Sequence, residues 1–176
     1  MTPVFFDIDT QYDFLLPAGA LYVPGAERII PTIAALNRYA SQKGIPLVST
    51  ADAHSEQDPE FAQWPAHCVA GTLGQKKPPE TLVGQIVLEK QALDIFTNPE
   101  LRPLLQRLNG SGYIVYGVAT EYCVRLAALG LLETGKPVTL VTDAIQAISP
   151  EGAERTLREF AARGGRLVTS DQVRGA

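Results

Sequence analysis

The chain has 176 residues, 45% of them hydrophobic and 19% charged, which suits one globular domain with a core of its own. Lys and Arg number 15 against 19 Asp and Glu, and the densest basic pair is Lys76-Lys77, so a nucleic-acid surface, which needs a basic stripe to neutralise phosphates, is excluded. No apolar run approaches the roughly 20 residues that cross a bilayer, and two cysteines are too few for a disulfide framework. Free thiols and an N-terminus that meets Asp7 without a basic segment lead us to expect a cytoplasmic protein with no signal peptide.

Short apolar runs predict strands at residues 4–8, 46–50, 86–88, 113–118, 137–142 and 166–169. They are continuous rather than alternating, as in strands covered on both faces. Between them, helical spacing predicts helices. Ile29, Ile33, Leu36 and Tyr39 mark one face of a helix over 26–42 that stops at Gly44. Residues 99–108 begin at a proline and end at Asn109-Gly110; residues 121–133 form another helix; residues 151–163 follow the cap-and-proline pair Ser149-Pro150. Strand and helix alternating in this way means a parallel sheet with helices on its faces. Residues 51–85 are the exception. This long stretch lacks periodicity yet carries both histidines and the only tryptophan, and loops of that length are usually functional.

In open α/β sheets ligands bind beyond the carboxyl ends of the strands. Asp9, Asp52, His54, Lys90 and Cys123 each follow one of the predicted strands, so they gather at one sheet edge. Cys123 comes after the small-residue turn Gly117-Val118-Ala119-Thr120 and opens a helix, where N–H groups favour a thiolate and can hold an oxyanion. That setting suits a nucleophile, although cysteine is also a common small core residue. Lys90 is either a fixed cation beside the thiol or a lysine whose head reaches water. Asp9 is either a general base or a turn-capping carboxylate, a role that fits Asp13 better. Asp52, His54 and His67 either suit a divalent transition metal (Zn, Fe or Mn) or are an acid and two unrelated loop histidines, whereas Glu56, Asp58 and Glu60 read as a solvated stretch or an outer layer around those ligands. Phe14 and Trp64 are core aromatics or the walls of a site for a flat substrate.

These residues carry a resemblance along nearly the whole chain. Asp9-Thr10-Gln11-Tyr12-Asp13-Phe14, Asp52-Ala53-His54, the segment from Trp64 to Thr72, Glu89-Lys90, the segment from Gly117 to Val124 and Thr142-Asp143-Ala144 resemble, in order, the motifs of the isochorismatase-like cysteine hydrolases, nicotinamidases above all. The resemblance implies a single hydrolase domain over 1–176, a three-layer α/β/α fold and a six-stranded parallel sheet ordered 3-2-1-4-5-6. It implies a catalytic triad of Asp9, Lys90 and Cys123, an oxyanion hole at Ala119 and Cys123 behind a cis Val118-Ala119 peptide, and a metal held by Asp52, His54 and His67. Substrate contacts are expected from Phe14, Trp64 and Tyr122. The expected partners are a small amide and a second copy of the chain in a homo-oligomer, with neither nucleic acid nor membrane. Metal and triad are expected to act separately. The sheet order poses a problem of reach, because Lys90 must cross two strand spacings, roughly 10 Å, to meet Asp9. Three features depart from the family pattern: Tyr12 where asparagine is common, no histidine at the position of a fourth metal ligand, and Gln91 to Thr97 in place of a glycine-led stretch.

Overall fold

The computed structural model describes residues 2–175. Six parallel strands form one sheet: β1 (Val4–Ile8), β2 (Leu47–Asp52), β3 (Ile86–Lys90), β4 (Tyr113–Val118), β5 (Val138–Gln146) and β6 (Arg166–Val168). Their order is β3-β2-β1-β4-β5-β6, as the family resemblance implies. The helices are α1 (Tyr12–Leu15), α2 (Ile30–Gln42), α3 (Leu101–Leu108), α4 (Arg125–Leu132), α5 (Pro150–Ala162) and α6 (Ser170–Arg174).

Alternation along the central strands builds two cores. Phe6, Val115 and Leu140 face one way and pack with Leu104 of α3, Leu131 of α4 and Phe160 of α5. Their neighbours Phe5, Tyr116 and Val141 face the other way and pack with Ile33, Leu36 and Ala40 of α2. Central strands are therefore buried on both faces, as expected. The outer strands are not: Ile86 and Val87 of β3 and Leu167 of β6 stand exposed, because an edge strand has a neighbour on one side only.

Local signals place the helix ends. Ser149 Oγ accepts the Gly152 N–H at 3.0 Å with Pro150 in the first turn of α5. Asn109 adopts left-handed backbone, φ 43°, and closes α3. The helix expected over 26–42 is a 3₁₀ turn, Ala26–Ile29, running into α2, and the one expected over 121–133 starts as a wide π turn, Thr120–Val124, before α4. Three strands outrun the apolar signal. β2 and β3 continue as the ladder pairs Ala51↔Glu89 and Asp52↔Lys90, and β5 extends to Gln146. Ladder hydrogen bonds satisfy the backbone whatever the side chains, so polar residues can end a strand.

The order reverses between β1 and β4, the place where open α/β sheets bind ligands. Gly117 sits at this junction with φ 124°, and a Cβ there would lie 2.1 Å from the Ile8 carbonyl oxygen. Glycine lets the two strands come together just where their ends carry Asp9 and Cys123. Among the described residues no helix is long and apolar enough to cross a membrane.

Candidate active site

Asp9 leaves β1 in left-handed backbone, φ 49°, which takes its carboxylate off the strand's alternation and across the sheet edge. Thr50 on β2 clasps it: the Thr50 hydroxyl donates to Asp9 Oδ1 at 2.5 Å and accepts the Asp9 N–H at 3.1 Å. Lys90, at the end of β3, lies in register with Asp52 at the end of β2. Both residues are therefore the last of their strands and not, as expected, just past them. The Lys90 ammonium touches Asp52 Oδ1 at 2.5 Å, Asp9 Oδ2 at 2.9 Å, the Ala92 carbonyl at 3.0 Å and Cys123 Sγ at 3.6 Å. The reach is solved by both side chains: lysine spans one strand and Asp9 leans in from the far side. Cys123 lies in the wide turn that opens the helix after β4, following a cis Val118-Ala119 peptide.

All three groups are buried, and each ionisation reflects it. Burial lifts the Asp9 carboxyl above the ordinary carboxylate range against the pull of Lys90. Burial likewise pushes the Cys123 thiol well up, with Lys90 opposing. For Lys90 burial disfavours the cation, but Asp9, Cys123 and Asp52 outweigh it and hold the ammonium firmly charged. The site thus sets a thiol and a carboxyl group, both shifted upward by burial, against one buried ammonium. Cys68, the other free cysteine, is buried with its thiol pushed up by desolvation and then by Asp52, and has no lysine at hydrogen-bond distance.

Donor atoms of Asp52, His54 and His67 all lie within 4.8 Å of one another, and all three residues are buried. Asp52 Oδ2 is 3.7 Å from His54 Nε2 and 3.9 Å from His67 Nε2. His67 Nδ1 lies 2.8 Å from the Pro65 carbonyl. A carbonyl only accepts, so that nitrogen carries the proton and Nε2 keeps its lone pair. Asp58 Oδ2 stands 3.0 Å from His54 Nδ1, while buried His54 Nε2, 3.7 Å from Asp52 Oδ2, has no hydrogen-bond partner among the described residues. An unpartnered imidazole nitrogen beside a carboxylate is what a transition metal takes up, and the donor set fits one. Burial disfavours the His54 cation, yet Asp52 and Asp58 overcome it and push the imidazole up to about 9. The same negative field attracts a metal ion.

One expectation changes here. The candidate metal ligands and the candidate triad are not separate: Asp52 gives one oxygen to Lys90 and turns the other to the histidines. Of the two readings of the loop acids, the outer layer around the ligands is the one observed for Asp58 and Glu60. Asp58 faces His54, and Glu60 Oε1 comes to 3.8 Å from His67 Nε2, where it lines the cavity and could complete the set that lacks a further histidine. Sequence reading also missed Thr50 and Gln11. The Gln11 amide donates to the carbonyls of Asp52 and Gln75 and accepts the Asp52 N–H at 2.7 Å, fixing the Asp52 backbone. Its place beside Asp9 in the opening motif was the available signal. Asp13 does cap, as predicted, accepting the N–H groups of Ala20 and Cys68.

A cavity opens beside these groups. Phe14, Trp64 and Tyr122 line it, together with Cys123, Ala119, His67 and aliphatic side chains, so the expected substrate contacts share one space. Trp64 meets Tyr122 edge to face at 5.5 Å, and Phe14 lies 5.4 Å from the His67 ring. The charged or ionisable lining is Asp52, Glu60, His67, Tyr122 and Cys123, with no arginine or lysine.

Comparison with known proteins meets this geometry. Residues 3–172 match the family model described as the isochorismatase domain. The nicotinamidase of Saccharomyces cerevisiae is 26% identical over 92% of this chain and 96% of its own. The maleamate amidohydrolase of Pseudomonas putida is 24% identical over 95% of this chain and 83% of its own. The crystal structure of the pyrazinamidase of Pyrococcus horikoshii in complex with zinc superimposes with a TM-score of 0.90 at 34% identity, covering 96% of this chain and 99% of that one. With this fold, this sheet order and a family match over almost its full length, the chain belongs to the isochorismatase family of hydrolases.

Proposed function

We propose that the protein is a metal-containing cysteine amidohydrolase that converts a small, flat, uncharged amide, nicotinamide or a close analogue, to the acid and ammonia. The observation that carries this reading is that Asp9 and Lys90 converge on Cys123, which lines the same cavity as Asp52 and His67 of the Asp52, His54 and His67 cluster. Asp9 takes the thiol proton, and Lys90 stabilises the thiolate that results. Sulfur attacks the amide carbon, and the N–H groups of Ala119 and Cys123 hold the oxygen as it gains charge. The tetrahedral adduct collapses as Asp9 returns its proton to the departing ammonia. Water, deprotonated by Asp9, then cleaves the thioester and frees Cys123. Asp52, His54 and His67, with Glu60 beside them, would hold a Zn, Fe or Mn ion, which when bound offers a Lewis-acid position for a ring nitrogen or a water at the far end of the cavity.

An uncharged substrate follows from the lining. The P. putida relative is named for maleamate, which carries a carboxylate, and here the acids Asp52 and Glu60 line the cavity with no arginine to receive one. Phe14, Trp64 and Tyr122 suit the faces and edge of an aromatic ring. Ammonia release is to be measured from nicotinamide, pyrazinamide, maleamate and a ureido amide side by side. We expect release from the first two, and in His54→Ala and His67→Ala a fall in metal content with weaker ring-amide binding. Release confined to maleamate or the ureido amide would overturn the reading.

A further inference from the structure

A second buried lysine–aspartate pair lies behind the reacting groups. Asp7 on β1 is fully buried, and Lys77, half of the densest basic pair in the chain, is 7% exposed. The Lys77 ammonium donates to the Thr10 hydroxyl at 2.7 Å and lies 3.4 Å from Asp7 Oδ2. The Thr10 hydroxyl in turn donates to Asp7 Oδ1 at 2.6 Å. Ser49 of β2 and Asn37 of α2 donate to Asp7 Oδ2 at 2.8 and 3.2 Å. None of these groups lines the cavity or enters the proposed chemistry.

Their position gives them a task. Asp7 and Thr10 flank Asp9, so the bond between their side chains closes a clasp around the residue that must take the thiol proton. Asp9 needs one, because its left-handed backbone is a conformation that an L-residue holds only when its surroundings impose it. Lys77 locks the clasp and does so from the segment that carries His67. Along that segment the Gly74 and Lys76 carbonyls accept the N–H groups of Asp13 and Tyr12, and Gln75 receives the Gln11 amide. We infer that Lys77, through Thr10 and Asp7, is a positioning residue that sets the Asp9 carboxylate against Cys123 and ties it to the segment bearing His67.

A buried ion pair that served only stability would behave differently. Replacing it would lower the unfolding temperature and leave the turnover of folded enzyme alone. Positioning predicts a loss in turnover, since displacement of a reacting group by about 1 Å costs on the order of 100-fold. The inference rests on the amidohydrolase reading for its turnover readout, so a second readout needs no substrate: the rate at which iodoacetamide alkylates Cys123 at pH 7, followed by mass spectrometry. Thr10→Val removes the clasp hydroxyl at nearly constant volume, and Lys77→Met removes the lock while filling its space. In both, we expect kcat for nicotinamide to fall by about 10-fold or more with KM within about 2-fold, and the alkylation rate to change by about 3-fold or more. Thr10→Ser should recover both readouts, and the Thr10→Val/Lys77→Met double variant should be no slower than the worse single one, as for groups acting as one unit. If Lys77→Met cannot be folded, Thr10→Val decides alone. Folded variants with wild-type alkylation rates would overturn the inference whatever the substrate proves to be. Should the wild type release no ammonia from nicotinamide while the variants still shift alkylation, the positioning role stands and the substrate reading fails.

Discussion

Two cysteines, both buried, have different surroundings, and the contrast is testable. Cys123 has Lys90 at 3.6 Å and lines the cavity, whereas Cys68, next to His67 in its loop, packs its side chain into the core. Cys123→Ala should abolish ammonia release and keep its fold. Cys68→Ala should retain most activity at a cost of about 1 kcal/mol in stability from the small void, read by denaturant titration. Comparable losses of activity from both would leave no ground for assigning the nucleophile. Asp9 supplies a pH signature. Its carboxyl is lifted by burial, and only the ionised form accepts the thiol proton. Activity should therefore be full above that raised value and fall as pH drops through it. With metal in excess, the acid limb of kcat/KM should lie above the 3.8 of an ordinary aspartate, and Asp9→Asn should be folded and inactive. A limb at or below that value would point to a different base.

At the scale of elements, the junction of β1 and β4 is the most constrained point. Gly117→Ala would drive a Cβ to 2.1 Å from the Ile8 carbonyl at a backbone angle disfavoured for alanine. The strands must part, so we expect a loss of several kcal/mol, or about 3 or more, seen as a lower Tm and loss of activity in whatever remains folded. A variant as stable as the parent would show that the close approach is dispensable. This junction also shows what a linear sequence reveals. The apolar runs and the Ser149-Pro150 and Asn109-Gly110 signals disclosed strands, helices and, with the family motifs, the sheet order. They did not disclose where β2 and β3 end, because Asp52 and Lys90 are polar residues that continue the ladder past the apolar signal. Nor did they show the exposed flank of β3, since Ile86 and Val87 look like any buried pair until the strand is known to be an edge.

For the molecule as a whole, the sheet order is what converts scattered residues into one site. Asp9, Asp52, Lys90 and Cys123 come from four strand ends, and His67 arrives on a loop pinned to the first of them. The motif residues were legible from their types and order. Thr50 and Gln11 were not, because each acts by holding a partner far away in sequence; Asp58 and Glu60 were legible as an outer layer around the ligands, but not which histidine each faces. The shared carboxylate of Asp52 was equally hidden, and through it the proposed metal ligands and the Lys90 group form one electrostatic unit. The central claim is that this unit is a metal-containing amidohydrolase. One sample tests it most directly: purified protein analysed for bound transition metal and, in parallel, for ammonia release from nicotinamide before and after chelation at pH 7. The account predicts about one ion of Zn, Fe or Mn per chain, ammonia release that chelation removes, and its return when metal is restored. A chain with no bound transition metal that hydrolyses amides equally well in the presence of chelator would contradict it.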